Sequence, residues 1–232
     1  MVHIVPAILP KTFDALTKQM DRVAAAVPVV QIDVVDGVLI PNASWPYTPG
    51  GEEEFESIKL GDTGLPHWED CLFEVDLMVT HAERDALAWV QAGASRVVVH
   101  AESPDAEAAL HALQDARMLA SLPTTVGVAL SCSASASALD AYSGLYDFVQ
   151  VMGIEHIGKQ GEPFDERALM LVQEIRELYP DTHVQVDGGV RAENAAAIVA
   201  AGATSLVVGS AVFNAADPHA AIAALMSTAN KK

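Results

Sequence analysis

Two short runs in this chain end apolar stretches with carboxylates. Gln31-Ile32-Asp33-Val34-Val35-Asp36-Gly37 lies near the start, and Val184-Gln185-Val186-Asp187-Gly188-Gly189 lies near the end. Each has the pattern of a buried strand that delivers an Asp at its carboxyl end and then breaks at Gly. A closed parallel sheet would bring Asp33 and Asp187 together, where they could act on opposite faces of one small substrate. Asp76, in Phe73–Val79, is a third carboxylate of the same kind. Side chains alternate along a strand, so Gln31 and Asp33 share one face. A buried carboxylate is costly unless it is paired, hydrogen-bonded or bound to a cation. With no Lys or Arg at neighbouring strand ends, Asp33, Asp76 and Asp187 call for a metal ion or for at least one proton. Asp36 can also be read as an Asx-turn with Gly37, and Asp76 as a backbone cap.

The elements that must position these groups alternate regularly. Strand candidates are Ile4–Leu9, Val29–Val35, Phe73–Val79, Arg96–His100, Thr125–Leu130, Phe148–Met152, His183–Asp187 and Ser205–Val208. Helical patterns separate them: Thr12–Ala26, Glu52–Lys59, Ala82–Ala92, Asp105–Leu119, Ser135–Tyr142, Glu166–Tyr179, Ala192–Ala200 and Pro218–Thr228. Alternation of this kind implies right-handed crossovers and a parallel sheet. Eight repeats in 232 residues predict an α/β fold, a (β/α)8 TIM barrel forming one domain over residues 1–232. No Gly-x-Gly-x-x-Gly follows the first strand, which argues against a dinucleotide-binding sheet. Gly93 and Gly202 are placed to end helices, and Asp217-Pro218 reads as an N-cap with Pro at the first helical position. The irregular stretch Val38–Cys71 leaves the second strand and is expected to cover part of the barrel mouth.

In this fold the site lies at the carboxyl ends of the strands. Gln150 and Met152 end the sixth strand, and Gln185 and Asp187 the seventh. His100 and Glu102, after the fourth strand, are weaker candidates, because a lone strand-end His is more often a hydrogen-bonded structural residue. Glycines follow the last three strands: Gly158–Gly161, Gly188-Gly189 and Gly209-Ser210. Gly lets backbone N–H groups approach an anion, and the last loops of such barrels commonly hold phosphate. The loop Gly153–Gly161, with His156 and Lys159, reads as a mobile lid or as a solvated loop.

Composition bounds the rest. The chain is 51% hydrophobic, 19% charged and 6% aromatic, with a formal net charge of −18. That charge carries no electrostatic footprint for nucleic acid or an anionic membrane. Residues 1–10 lack the pattern of a signal peptide, and no stretch has the length of a membrane span, so a cytoplasmic protein is expected. Cys71 and Cys132 lie beside apolar runs without metal-type spacing and read as reduced, buried thiols.

Taken together, these pieces resemble the ribulose-phosphate 3-epimerase family along nearly the whole chain. The matching runs include Pro6-Ala7-Ile8-Leu9, Asp33-Val34-Val35-Asp36-Gly37, Ile40-Pro41-Asn42, Asp76-Leu77-Met78-Val79, Val99-His100-Ala101-Glu102, Val186-Asp187-Gly188-Gly189-Val190 and Gly209-Ser210-Ala211-Val212-Phe213-Asn214. The resemblance implies an isomerase that epimerises a ketose phosphate at C3. Asp33 and Asp187 would be the acid/base pair, and a divalent metal would stabilise the enediolate. It also implies a substrate site of Ala7, Met78, Gly158 and Gln160, with phosphate on Gly188, Gly189, Gly209 and Ser210. The partner is a small phosphorylated sugar, and the chain is compatible with a homo-oligomer.

The chain departs from the family where the metal would sit. The family's two ligand His positions are Gln31 and Asp76 here, and its early Ser is Ala7. Gln31, Asp33, Asp76 and Asp187 form an all-oxygen set that suits Mg²⁺ or Mn²⁺ better than Zn²⁺ or Fe²⁺. Two alternatives stay open on these departures. One is a related phosphosugar isomerase or lyase with another substrate; the other is a non-catalytic phosphosugar-binding barrel.

Overall fold

The structure is a computed structural model that describes residues 2–120, 124–158 and 161–230. Eight parallel strands close into a barrel in sequence order. They are β1 (His3–Ile8), β2 (Val29–Val35), β3 (Leu72–Met78), β4 (Arg96–His100), β5 (Thr125–Leu130), β6 (Phe148–Met152), β7 (His183–Asp187) and β8 (Ser205–Val208). Each strand pairs with the next, and β1 closes the ring on β8. The helices are α1 (Phe13–Met20), α2 (Gly51–Lys59), α3 (Ala82–Gln91), α4 (Ala106–Ala120), α5 (Arg167–Leu178), α6 (Ala192–Ala201), α7 (Ser210–Phe213) and α8 (Pro218–Ala229). No helix among the described residues is long and apolar enough to cross a membrane.

Alternation along each strand sorts the barrel into two environments. The outward residues, such as Ile32, Val75, Leu77, Val97, Val99, Val149 and Val186, are fully buried in one cluster with the helices. Burial of that kind contributes about 25 cal/mol per Å² and dominates the stability of the fold. The inward residues are different in character. Gln31, Glu74, Asp76, His100, Gln150 and Gln185 are polar and almost fully buried. They persist there because they hydrogen-bond one another across the barrel.

The segment after β2 does more than cover the mouth. Ser44 Oγ donates to the Asp33 carbonyl at 2.9 Å and accepts from Val35 N–H at 2.9 Å, stitching the loop to the end of β2. Trp45 is fully buried and meets Trp89 edge-on, with ring centroids 5.7 Å apart. Phe55 of α2 packs on the same indole at 5.8 Å. Removing such a ring typically costs about 3–5 kcal/mol. The strand end that carries Asp33 is therefore anchored from behind. Of the segment expected to cover the mouth, Ile40 meets Gly158 of the opposite loop, while none of its residues lines the cleft itself.

Several expected boundaries shift. The helix expected over Thr12–Ala26 stops at Met20, and Ala24–Ala26 forms a separate 3₁₀ turn. The bend lets Arg22 donate to the carbonyls of Phe213 and Ala215 at 3.0 and 3.2 Å. Ser135–Tyr142 was expected to be α-helical and is a 3₁₀ helix over Ala136–Tyr142, entered with Ser135 Oγ accepting from Ser137 N–H. The short α7 was not anticipated, because its four residues are too few to show a period. The Asp217 N-cap is present, accepting from Ala220 N–H at 3.1 Å. Gly93 and Gly202 adopt φ of 101° and 123°, conformations that an L side chain resists. Both cysteines are free and buried.

Gly127 on β5 is required by its register neighbour Phe148. A Cβ at position 127 would stand 2.5 Å from the Phe148 ring. Arg96 lies over that ring at 4.5 Å, so the ring has little freedom to move aside. Gly127→Val is expected to cost about 2 kcal/mol by overpacking, read as a lower urea midpoint. An unchanged midpoint would show that the interior yields at this layer.

Candidate active site

The carboxyl ends of β2, β3 and β7 bring Asp33, Asp76 and Asp187 together. Asp33 and Asp76 are direct register partners on neighbouring strands. One oxygen from each of the three carboxylates lies within 4.8 Å of the others. Gln31 lies beneath them, fully buried, and its Nε2 donates to Asp33 Oδ1 and to Asp187 Oδ2 at 2.8 Å each. A single amide thus bridges the two carboxylates. Asp76 is closed off from solvent, while Asp33 and Asp187 keep 9% and 8% exposure toward the cleft.

A charged partner comes from β4. His100 Nε2 lies 2.9 Å from Asp76 Oδ1, with both side chains fully buried. Its Nδ1 lies 3.7 Å from Glu102 Oε2. Burial opposes charge on the imidazole, but the Asp76 and Glu102 carboxylates together more than offset it and raise the His100 pKa to about 10. Gln150 Nε2 adds a donor to Asp76 Oδ2 at 3.1 Å and a longer one to Asp187 Oδ2 at 3.5 Å. The sequence offered no Lys or Arg at these strand ends and called for a metal ion or a proton; His100, read there as a hydrogen-bonded structural residue, makes that bond to Asp76. The signal was available: a His ends the strand that pairs with the strand of Asp76.

One imidazolium cannot neutralise three carboxylates. Burial, then the neighbouring Asp187 and Asp76 charges, raises the pKa of Asp33 well above the usual Asp range. Burial and the Asp76 charge raise that of Asp187 as well. The site therefore favours an added proton or cation. Its donors fit a metal ion: three carboxylates converge, and Gln31 Oε1 is buried without a partner among the described residues. A half-turn of that amide would exchange donor for acceptor and aim Oε1 at the carboxylates.

Above the carboxylates lies a narrow cleft. Ala7 and Met78 form an apolar wall with Leu9, Met152 and Ile154. Gly188, Gly189, Gly209 and Ser210 form a second wall, and Gly158 also lines the cleft. Gly188 and Gly189 have φ of 103° and 67°. A Cβ on Gly188 would meet Ile154 at 2.9 Å, and one on Gly189 would meet the Phe164 backbone at 2.7 Å. Ser210 opens α7, so the N–H groups there have no partner within that helix. Gly161, of the glycine element expected after the sixth strand, lines the cleft too, and so do Leu9, Ile154, Val190 and Val207, which were not among the expected site residues. Gln160, expected at the substrate, and Lys159 lie outside the described residues. Asp36 serves the backbone instead. Its carboxylate accepts from Val38, Leu39 and Thr80 N–H at 2.8, 2.9 and 2.7 Å, the Asx-turn reading.

The crowded carboxylates make a claim on stability. The folded pKa of Asp187 lies above its unfolded value. Its contribution to stability is thus present at low pH and is lost as pH rises through the folded value. In metal-stripped protein, Asp187→Asn is expected to raise Tm, by at least about 3 °C at pH 8 and by less at pH 5. A lower Tm at pH 8 would contradict the electrostatics described here.

Comparison with known proteins identifies the family. The sequence profile described as the ribulose-phosphate 3 epimerase family matches residues 3–213. The chain is 31% identical over 227 residues to ribulose-phosphate 3-epimerase of Mycobacterium leprae (strain TN), covering 96% of this chain and 92% of that protein. It is 29% identical over 229 residues to the chloroplastic ribulose-5-phosphate-3-epimerase of Arabidopsis thaliana, covering 95% and 75%. Among solved structures, a 3-hexulose-6-phosphate synthase shares the fold, with a TM-score of 0.69, 23% identity and coverage of 98% and 99%. With the profile matched across nearly its whole length, the chain belongs to the ribulose-phosphate 3-epimerase family.

Proposed function

We propose that the protein interconverts the C3 epimers of a ketose phosphate of the D-ribulose 5-phosphate and D-xylulose 5-phosphate type. One observation carries this reading. Asp33 and Asp187 flank a common amide, Gln31 Nε2, at 2.8 Å each, at the floor of a cleft walled by glycines. In this reading one carboxylate removes the C3 proton and the other returns a proton to the opposite face. The roles reverse with the direction of reaction. Both groups must pass between acid and base, and their raised pKa values bring that exchange nearer neutral pH. The backbone of Gly188, Gly189, Gly209 and Ser210 receives the phosphate, which fixes C3 over the carboxylates. Ala7 and Met78 keep water from the intermediate. Family membership supports the same chemistry.

Gln31 Oε1, Asp33, Asp76 and Asp187 would hold a divalent cation, and oxygen donors of this kind favour Mg²⁺ or Mn²⁺ over Zn²⁺ or Fe²⁺. When bound, that ion would supply positive charge beside the enediolate oxygens. A second reading, a phosphosugar isomerase or lyase with another substrate, is favoured by Gln31 and Asp76 standing where the resembling family carries imidazoles. Hydrogen exchange at a carbon other than C3, or carbon–carbon cleavage, would select it.

Two measurements bear on this proposal. Asp33→Asn and Asp187→Asn are each expected to lower kcat for C3 epimerisation by roughly 10²–10⁴-fold with KM little changed. Near-normal turnover in either variant would remove that residue from the mechanism. Millimolar Mn²⁺ is expected to raise the Tm of the wild type and to leave Asp76→Asn unmoved. Equal shifts in both proteins would place the ion elsewhere.

A further inference from the structure

Below the carboxylates, the barrel interior holds a continuous line of polar side chains from β3, β4, β6 and β7. At its lower end Arg96 Nε donates to Glu74 Oε2 at 2.6 Å. Gln185 Nε2 donates to Glu74 Oε1 at 2.7 Å and to Gln150 Oε1 at 2.8 Å. Gln150 Nε2 then reaches Asp76 Oδ2 at 3.1 Å and Asp187 Oδ2 at 3.5 Å. Glu74, Gln150 and Gln185 are at most 1% exposed. The lower end reaches solvent at Arg96, whose side chain is 25% exposed and lies over Phe148.

The ends of this line fix its direction. A guanidinium can only donate, and a carboxylate can only accept. Glu74 therefore draws the Gln185 NH₂, while Arg96 Nη2 faces Gln185 Oε1 at 3.4 Å. The same NH₂ draws Gln150 Oε1 downward, which leaves the Gln150 NH₂ aimed up at Asp76 and Asp187. Reversing either amide would set donor against donor or acceptor against acceptor in a dry interior, at the cost of unsatisfied buried groups.

We propose that Gln150 and Gln185 are positioning residues, through which the Arg96–Glu74 ion pair orients Asp76 and Asp187 for the reaction above them. Gln150 touches the carboxylates directly. Gln185 makes no hydrogen bond to either carboxylate among the described residues, and its side-chain partners are Glu74, Arg96 and Gln150. The inference rests on the acid/base reading of Asp187, so its test carries a readout that needs no turnover.

The experiment is a double-mutant cycle of Gln150→Leu and Gln185→Met in the full-length protein. Each single variant is expected to lower kcat roughly tenfold with KM within about twofold, because the phosphate wall is untouched. The double variant is expected to lose no more than the worse single one, because the first substitution already breaks the line. Losses that multiply, a Gln185→Met kcat within about twofold of wild type, or a change confined to KM would overturn the proposal. Multiplying losses would show that Gln185 acts through the β7 backbone it shares with Asp187. Should Gln185→Met fail to fold, Glu74→Gln takes its place with the same expected split.

The second readout is the ¹³Cγ resonance of Asp76 and Asp187 in ligand-free protein, assigned with the Asn variants. Gln185→Met is expected to move both resonances, and unmoved resonances would overturn the proposal. If the wild type fails to epimerise while these resonances still move, the functional reading fails and the positioning line stands.

Discussion

Mutual repulsion among Asp33, Asp76 and Asp187 is the constraint around which the interior of this barrel is organised. With oxygens 4.8 Å apart or less, each ionised pair repels by at least about 3.5 kcal/mol at an effective dielectric near 20. Full ionisation in a site this dry would consume much of the stability of an ordinary domain. Three features relieve it. His100 pairs with Asp76, the Gln31 amide bridges Asp33 and Asp187, and Gln150 donates to Asp76 from below. The remaining imbalance is what an acid/base pair needs, because it keeps a proton or a cation within reach at neutral pH.

The fold can hold such a cluster because it separates two tasks by strand parity. Outward residues such as Val75, Leu77, Val97 and Val99 pack against helices and supply cohesion. Inward residues are then free to be polar, and each can be matched by a neighbour on the next strand or across the barrel. Rigid placement comes from behind as well. Ser44 stitches the loop to the end of β2, and the buried Trp45–Trp89–Phe55 cluster holds that loop against α3. Gly188 and Gly189 take up φ of 103° and 67°, open to glycine, in the wall where the proposed function seats the phosphate.

How much of this was legible in sequence depends on whether a signal is local. Asp33 and Asp187 stood out because each ends an apolar run just before a glycine, a pattern within a few residues. The eight strands were legible for the same reason, and all their bounds agree to within one residue. Gln31 was legible as a departure from the resembling family, but not its bridging role, since Asp187 lies 156 residues away. The charge on His100 was missed because it depends on register: the imidazole reaches Asp76 only once β3 and β4 pair as they do. The line through Gln150, Gln185 and Glu74 is invisible in sequence, where its members are separated by as many as 111 residues. The break after Met20 and the single turn of α7 escaped because tertiary contacts of Arg22 and the loop after β8, rather than any periodicity, set them.

The central claim is that a proton leaves and returns at C3 between two carboxylates open to exchange with solvent. Incubating the wild type with D-ribulose 5-phosphate in D₂O, and following the sugar by NMR, tests it most directly. The account predicts deuterium at C3 of both epimers, with none at C4 and no cleavage products. Epimerisation without deuterium at C3, or label entering only at another carbon, would contradict it.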